Sequence, residues 1–233
     1  MTTIEEHGRL TSRSIRSFVI RNGRLTKAQA HAIDTLLPEF GIAFQSQPLQ
    51  VDTVFKRGGP LCVEIGFGNG DALLDMASAQ PETNFIGIEV HEPGVGHALM
   101  GIETRQLSNV RVIQHDAMEV LEQMIPDASL DRVLLYFPDP WRKKRHFKRR
   151  IVQKEFVELV ADKLTRNGVL HCATDWEDYA SWMVEKLDAC SRFVNQANTG
   201  HFSPRPAWRT KTRFEQRGER LGHQVFDLLY CRR

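Results

Sequence analysis

From residue 60 onward, short apolar runs alternate with longer stretches in which apolar positions recur every three to four residues. The apolar runs predict strands at 61–66, 84–90, 110–116, 131–137 and 168–174. The stretches between them predict helices near 71–79, 94–107, 117–125, 150–166 and 177–190. Strands that alternate with helices indicate βαβ units, so the sequence predicts an α/β fold built on a mainly parallel sheet.

The two ends of the chain depart from this alternation. Residues 1–25 predict a basic, loosely packed arm, and the alternative is a disordered tail. Thr26 is expected to cap a helix that ends at Leu37, because Pro38 should stop it. The tail contains two further strand candidates, 193–198 and 223–231, on either side of a polar segment at 203–222. We therefore expect an arm and helix over 1–50 and one main domain over 51–233, which is consistent with a length of 233 residues.

The charge is unevenly distributed. The net charge is only +2, but basic residues concentrate near 9–27, 142–150 and 205–220, which favours a localised anionic partner. The N-terminus lacks the pattern of a signal peptide, and no apolar stretch is long enough to span a bilayer, so a cytoplasmic protein is expected. The four cysteines are widely spaced, which predicts reduced thiols and no metal site.

The run Tyr-Phe-Pro-Asp-Pro-Trp at 136–141 carries the clearest chemical signal. Asp139 stands between two prolines at the end of a predicted strand, which holds the carboxylate in a stiff turn. Residues 142–150 follow with seven basic side chains and no acid. This basic run is either a phosphate-binding surface or a solvated helix start; the mutual repulsion of its charges favours the first. A fixed carboxylate beside such a surface suggests chemistry on a nucleobase.

A glycine loop follows the first strand of the regular region. Gly66, Gly68 and Gly70 come directly after Glu64 and Ile65, so the backbone there can turn sharply and approach a ligand. A tight turn without a ligand is the alternative. The dinucleotide fingerprint requires a small residue where Asp71 stands, so the loop suits a cofactor that has no pyrophosphate.

Three later strands also end in carboxylates. Glu89, Asp116 and Asp139 each follow a predicted strand, and the carboxyl ends of parallel strands share one edge of a sheet. Any one of them could be only a helix N-cap, and Asp116 is a good candidate for that role. Four acids at one edge, Glu64 included, suit a cationic sulfonium cofactor better than NAD.

Together these residues resemble the class I S-adenosylmethionine-dependent methyltransferases, and more closely the bacterial tRNA (guanine-N7-)-methyltransferase family, the TrmB type. The resemblance covers roughly residues 10–230. The segments that carry it are 13–24, 64–70, 87–91, 136–151, 173–176 and 212–218. It implies a Rossmann-like, seven-stranded, mostly parallel sheet with helices on both faces and an antiparallel last strand. It also implies methyl transfer from S-adenosyl-L-methionine to N7 of guanine 46 in the variable loop of tRNA, by a monomer or a homodimer.

The resemblance assigns roles to individual residues. It implies that Asp139 is catalytic. The implied cofactor contacts are Glu64, Gly66, Gly68, Gly70, Glu89, Asp116 and Asp139. The implied substrate contacts are Lys143, Asp175, Thr212, Arg213, Phe214 and Glu215. The basic run supplies the predicted RNA contacts, which are Arg142, Lys144, Arg145, Lys148, Arg149 and Arg150. Related sequences have His and Lys where this chain has Arg142 and Arg213; both changes keep hydrogen-bond donors there.

Some of these residues have simpler interpretations. Trp141 could stack on a base or anchor the turn as a core aromatic. Asp175 could be a helix N-cap, and the segment from Thr212 to Glu215 could start a surface helix.

Three other functions fit the sequence less well. Methyltransferases that act on adenine N6 or a protein side-chain amide use Asn/Asp-Pro-Pro-aromatic, whereas here only one proline follows Asp139. A non-catalytic nucleic-acid-binding module would not require the glycine loop and all four acids. A nicotinamide dehydrogenase is disfavoured by Asp71 and by the basic run.

Overall fold

The computed structural model describes residues 16–19, 23–211, 215, 222 and 224–233. Its centre is a seven-stranded sheet in the order β3-β2-β1-β4-β5-β7-β6. The strands are β1 Leu61–Ile65, β2 Asn84–Ile88, β3 Val110–Ile113, β4 Leu130–Tyr136, β5 Leu164–Thr174, β6 Phe193–Asn195 and β7 Phe226–Arg232. β1 to β5 pair in parallel, and β7 runs antiparallel to both of its neighbours. The predicted fold class and its antiparallel last strand are therefore confirmed.

Helices cover both faces of the sheet. They are α1 Lys27–Phe40, α2 Val51–Phe55, α3 Asp71–Ala79, α4 Glu92–Thr104, α5 Ala117–Gln123, α6 Lys154–Lys163 and α7 Glu177–Asp188, with a 3₁₀ helix at Lys144–Arg149. On one face α5, α6 and α7 pack against Val63 and Ile65 of β1. On the other face α1, α3 and α4 pack against Cys62 of the same strand. This alternation follows from the two-residue repeat of a strand, and it turns Glu64 toward the face of α3 and α4.

Several predicted boundaries were wrong. α1 continues through Pro38 to Phe40, because the lost N–H bond falls in the last turn, and Gly41 N still donates to Leu37 O at 2.7 Å. The predicted helix 150–166 is shorter, since the basic run forms the 3₁₀ helix and α6 begins only at Lys154. The predicted helix also ends too late, because β5 already starts at Leu164, which pairs with Leu130 of β4. The short helix α2 was not predicted.

The N-terminal end of α1 was predicted correctly. Thr26 accepts a hydrogen bond from Gln29 N at 3.2 Å, and the Gln29 side chain accepts one from Thr26 N at 2.9 Å, which makes a capping box. The helix then packs along α4, where the Gln29 amide donates to Pro93 O at 3.0 Å.

The parallel strands place their carboxyl ends at one edge of the sheet. The loops after β1, β2, β3 and β4 therefore converge there, as the sequence predicted. Elsewhere in the described chain, Cys62 and Cys172 are buried free thiols. None of the described helices has the length and apolar character needed to cross a membrane.

Candidate active site

A cavity of about 270 Å³ opens at this edge of the sheet. Four of the predicted site residues line it: Gly66, Glu89, Asp116 and Asp139. Apolar side chains from the strand ends form its floor, among them Ile65, Ile88 and Leu135. Sequence reasoning did not select these, or Ser17, Phe18 and His115, which complete the wall. The cavity thus joins an acidic rim to an apolar floor.

The glycine loop between β1 and α3 lines the cavity at Gly66, whereas Gly68 and Gly70 do not line it. Gly66, Gly68 and Gly70 have φ angles of 70°, 60° and 83°, a left-handed conformation that side chains disfavour. The loop is held to the next strand, because Gly68 N donates to Glu89 Oε2 at 2.8 Å. It also touches α4: a Cβ added to Gly94 would lie 2.2 Å from Gly68 O. The backbone path here therefore requires glycine on both sides of the contact.

Glu89 is oriented entirely by backbone donors. Besides the bond from Gly68, its Oε1 accepts from Val90 N at 2.7 Å and from His91 N at 2.9 Å. The side chain is nearly buried, at 9% exposure, and lines the cavity. A carboxylate has about four acceptor sites, so Glu89 retains capacity for a hydroxyl donor.

Glu64 lies on β1, just before the glycine loop, and does not line the cavity. It is 3% exposed, and its Oε2 atom has no hydrogen-bond partner among the described residues. Burial, and secondarily the charge of Glu89, raise the pKa of Glu64 to about 8. A buried acid without a partner is costly, and a cationic group bound nearby would relieve that cost. The predicted role of Glu64 as a cofactor contact therefore stays a prediction.

Asp116 is an N-cap, and its role as a cofactor contact stays a prediction. It caps α5, because its side chain accepts from Met118 N at 2.9 Å, and it also lines the cavity. Burial raises its pKa, although the Met118 N–H bond works in the opposite direction. The neighbouring His115 is held by a contact of 2.5 Å to Glu119 and by stacking on Phe44.

Asp139 is exposed at the mouth of the cavity, in a turn with an unusual backbone. The two residues that flank the Pro-Asp-Pro sequence, Phe137 and Trp141, have φ angles of +50° and +45°. Left-handed non-glycine residues cost on the order of 1–3 kcal/mol each and persist only where their surroundings impose them. Phe137 N is fixed by a bond of 2.8 Å to Ala173 O on β5. The turn therefore presents Asp139 in a strained but fixed conformation.

Arg150 requires a correction. The sequence placed it among the RNA contacts, but it is 1% exposed and lies inside the protein. Its guanidinium donates to Pro140 O at 3.0 Å, pairs with Asp178 and stacks on Phe147 at 3.7 Å. Because a phosphate cannot reach it there, its predicted role in RNA binding is not supported. Arg150 instead secures the Asp139 turn from beneath.

The rest of the basic run divides into two groups. Arg142, Lys144, Arg145 and Lys148 are exposed, as is the predicted substrate contact Lys143. The Arg142 guanidinium lies 4.3 Å from the ring of Trp176, next to the exposed Asp175.

The N-cap interpretation of Asp175 was wrong, because Trp176 occupies the cap position of α7.

Arg149 differs from these exposed residues, because it binds the backbone of the N-terminal residues 16–18. Its guanidinium donates to Arg16 O at 3.2 Å and to Phe18 O at 3.0 Å, and stacks on Trp141 at 4.0 Å. Trp141 donates its indole N–H to Ser17 O at 3.0 Å. Residues 16–18 are therefore docked as a wall of the cavity. The remaining arm, 1–15 and 20–22, lies outside the described residues.

The predicted substrate contact Glu215 is buried, at 3% exposure. Both of its carboxylate oxygens accept hydrogen bonds from Arg209, at 2.6 and 2.8 Å. Thr212, Arg213 and Phe214, the other predicted contacts of that segment, lie outside the described residues.

This chain is similar to known methyltransferases in both sequence and fold. A family model described as "Putative methyltransferase" matches residues 58–228. A tRNA (guanine-N(7)-)-methyltransferase of Sodalis glossinidius is 55% identical over 98% of this chain and 95% of its own length. One of Alcanivorax borkumensis is 56% identical over 95% and 92%.

Solved structures show the same fold at low sequence identity. The 16S rRNA methyltransferase KamB superposes with a TM-score of 0.56 at 11% identity, over 81% of this chain and 95% of its own. The aminoglycoside resistance methyltransferase NpmB1 gives 0.54 at 15% identity, over 82% and 95%.

Proposed function

Because this chain belongs to the tRNA (guanine-N(7)-)-methyltransferase family, we propose that it methylates N7 of guanine 46 in the variable loop of tRNA, with S-adenosylmethionine as the donor. The observation that carries the proposal is the placement of Asp139 between an acidic cavity and an exposed basic surface.

The cavity suits the proposed cofactor. Bound there, S-adenosylmethionine would supply an electrophilic methyl group on a positively charged sulfur. Glu64 would balance cationic charge, since its buried oxygen has no partner among the described residues. Glu89 would accept from ribose hydroxyls, and Asp116 would add an acceptor on the opposite wall. Gly66, Gly68 and Gly70 would let the backbone approach the ligand.

Asp139 is proposed as the group that orients the nucleobase. Guanine N7 has a lone pair and no proton, so methylation there requires no base to deprotonate the nucleophile. An exposed carboxylate can accept hydrogen bonds from the guanine N1–H and its 2-amino group. It also stabilises the positive charge that develops on the purine during transfer. The strained turn around Asp139 keeps its carboxylate beside the cavity.

The exposed part of the basic run is proposed to hold the tRNA backbone. Its side chains are exposed to solvent, so phosphates can reach them, and they follow Asp139 closely in sequence. They are Arg142, Lys144, Arg145 and Lys148. Lys143, Asp175, Thr212, Arg213 and Phe214 are proposed to contact the substrate. Glu215 is not, because it is buried and both of its carboxylate oxygens are bound by Arg209.

Methyl transfer from labelled S-adenosylmethionine to an unmodified tRNA transcript tests the proposal. The modified site is mapped by strand cleavage at N7-methylguanine, which should occur at the variable-loop guanine. Cleavage at another guanine, or label retained at another base, would overturn the assignment.

Variants of Asp139 test its role in the same assay. Asp139→Asn and Asp139→Ala should lower the single-turnover rate by roughly 100-fold, because charge stabilisation in the transition state is lost. Asp52→Asn is the matched control, since Asp52 is an exposed acid that does not line the cavity. Near-normal rates in both Asp139 variants would remove Asp139 from the mechanism.

A further inference from the structure

An arginine and a tryptophan stack on each other beside the Asp139 turn. The guanidinium carbon of Arg142 lies 4.3 Å from the centre of the Trp176 ring. Arg142 follows β4 and Trp176 follows β5, and these strands are parallel neighbours whose carboxyl ends lie at the edge where the cavity opens. The Arg142–Trp176 pair therefore bridges the loop that contains Asp139 and the loop that contains Asp175.

The two side chains of the pair differ in burial. Trp176 is half-buried and packs against the core between the sheet and helices α5 to α7. Arg142 is exposed, although its guanidinium covers the ring. A planar group in solution can therefore approach the guanidinium from the side that faces away from the ring.

The donors of Arg142 are not used inside the protein. Its side chain makes no hydrogen bond or ion pair within the described ranges, although Asp139 and Asp175 lie in the two loops that it bridges. Arg149 and Arg150, in contrast, donate to backbone oxygens of the protein. The ring contact thus fixes the plane of the Arg142 guanidinium and leaves its donors for a ligand.

A guanidinium held flat against an indole ring suits a nucleobase. Proteins that bind unpaired RNA stack bases on aromatic rings and on arginine planes, and this stacking tolerates any sequence because every base has a π face. A phosphate requires charge and donors but no ring behind them. The stacked arrangement therefore favours a base, rather than a phosphate, as the ligand of Arg142.

The charge of Arg142 indicates which base it would bind. Positive charge develops on the target guanine during methyl transfer, and a guanidinium stacked on that ring would oppose it. The anionic Asp139 suits the target guanine for the same reason. Arg142, on the next part of the loop, suits a neutral base beside the target.

We propose that Arg142 and Trp176 form a stacking site for a nucleobase that flanks the target guanine. Stacking holds the flanking base while Asp139 orients the guanine at the cavity. This assignment changes the role of Arg142 from a phosphate contact to a base contact. The inference rests on the proposed function, from which it takes the RNA substrate and the position of the guanine.

The first test uses tRNA transcripts that differ only beside the target guanine. One is intact, and two carry an abasic residue at the 5′ or the 3′ neighbour. The abasic penalty is the ratio of the dissociation constants of an abasic and the intact transcript, and it should be roughly 5- to 50-fold for one neighbour with the wild type. Arg142→Lys should reduce it to about twofold or less, because lysine keeps the charge but lacks the plane. No penalty in the wild type, or an unchanged penalty in Arg142→Lys, would overturn the inference.

Arg142→His separates the plane from the charge. At pH 8 its imidazole would be planar but mostly neutral. The abasic penalty should therefore remain at roughly threefold or more in Arg142→His, although it is lost in Arg142→Lys. A penalty that follows the charge instead, lost with His and kept with Lys, would identify Arg142 as a phosphate contact and overturn the inference.

Arg132→Lys is the matched control. Arg132 also stacks on a tryptophan, with its guanidinium 4.7 Å from the Trp208 ring, but it lies near the amino end of β4 and does not line the cavity. Its substitution should leave the abasic penalty within about twofold of the wild-type value. If Arg132→Lys abolished the penalty as well, any loosened arginine–tryptophan contact would have this effect, and the inference would be overturned.

A double variant tests whether the two residues act together. Trp176→Leu removes the ring behind the guanidinium, so the abasic penalty should fall as it does in Arg142→Lys. The double variant should bind the intact transcript no more weakly than the weaker single variant. Affinity losses that multiply would show two independent contacts and would overturn the inference. Arg142→Lys changes an exposed side chain, so it tests the inference even if Trp176→Leu does not fold.

The reaction itself distinguishes the two levels of proposal. If the wild type does not methylate guanine N7, the proposed function fails and the inference fails with it. If the wild type does so and Arg142→Lys keeps the abasic penalty, the inference alone fails. The single-turnover rate of Arg142→Lys at saturating tRNA should stay within about threefold of wild type, because Arg142 does not contact the reacting base. A larger change would place Arg142 on the target guanine and overturn its assignment to the flanking base.

Discussion

At the scale of single residues, Glu64 shows how burial changes the protonation state of an acid that belongs to a sequence motif. The sequence identified it as a cofactor contact. The structure adds that its carboxyl is desolvated, which raises its pKa to about 8, and that Oε2 has no described partner. Among the described residues, the titratable groups that interact with it are Glu89, Tyr136 and Cys62, and none of these three is a cation. With a pKa of about 8, Glu64 is mostly protonated at pH 7.

This state predicts a specific pH dependence of stability. The folded pKa lies above the ordinary value of 4.5, so the folded protein binds a proton more tightly than the unfolded chain does. The stability associated with that proton is complete below pH 4.5 and is lost as pH rises toward 8. Relative to Glu64→Gln, the wild type should lose up to about 1.4 kcal/mol of unfolding free energy per pH unit in this window. Denaturant titrations at several pH values measure the difference; parallel curves would contradict it.

The basic run shows which residue roles the sequence could not assign. Arg145 and Arg150 have the same side chain in the same run, so composition and charge do not distinguish them. Their difference in burial comes from the 3₁₀ helix and from Phe147, Tyr179 and Trp182, whose rings surround Arg150. Only the fold brings these rings together, which is why the prediction of Arg150 as a phosphate contact failed.

At the scale of elements, α4 contacts the glycine loop, and that loop holds Glu89 of the cavity wall. An added Cβ on Gly94 would meet the backbone oxygen of Gly68 at 2.2 Å, which neither element can avoid by rotating a side chain. The loop also carries the N–H that holds Glu89. A shift of α4 would therefore disturb the loop and the acid together.

Gly94→Ala should for this reason weaken S-adenosylmethionine binding at least 10-fold and destabilise the protein by roughly 1–3 kcal/mol, the usual cost of overpacking. Gly58→Ala is the matched control, since an added Cβ there meets no described atom within 4 Å. Isothermal titration and thermal unfolding measure the two effects. Equal cofactor affinity in both variants would show that the contact does not shape the cavity.

Element order was more predictable than element ends. The strand–helix alternation from 60 to 190 was correct, because each element has its own apolar repeat. The end of α1 was misplaced because proline is tolerated in its last turn. The end of α6 and the start of β5 were misplaced because they depend on a partner distant in sequence. Leu164 is extended since it pairs with Leu130, although its local sequence continues a helical pattern.

At the scale of the whole molecule, the cavity wall is assembled from distant parts of the chain. Residues 16–18 are brought to the Asp139 turn by Trp141 and Arg149. Local periodicity contains no information about such a contact, so the sequence predicted the basic arm and the Trp141 motif separately. The basic run consequently faces two ways, with Arg149 toward the cavity wall and its exposed neighbours toward solvent.

The hydrogen bond from Trp141 to Ser17 O gives a direct test of this assembly. Trp141→Phe keeps an aromatic ring beneath Arg149 but removes the N–H donor. Residues 16–18 then lose one of their three hydrogen bonds to Trp141 and Arg149. One such bond is worth about 0.5–1.5 kcal/mol, which corresponds to S-adenosylmethionine binding weakened by roughly 2- to 12-fold without tRNA.

Trp182→Phe is the control for that measurement, because Trp182 makes an equivalent bond of 2.7 Å to Val152 O away from the cavity. It should lower the unfolding free energy by a similar amount and leave cofactor affinity unchanged. The comparison is decisive in the absence of RNA, since any contact between Trp141 and a base is then excluded. If both variants bind the cofactor as tightly as the wild type, residues 16–18 lie against the cavity without contributing to ligand binding. The cofactor is then bound by the loops at the edge of the sheet alone.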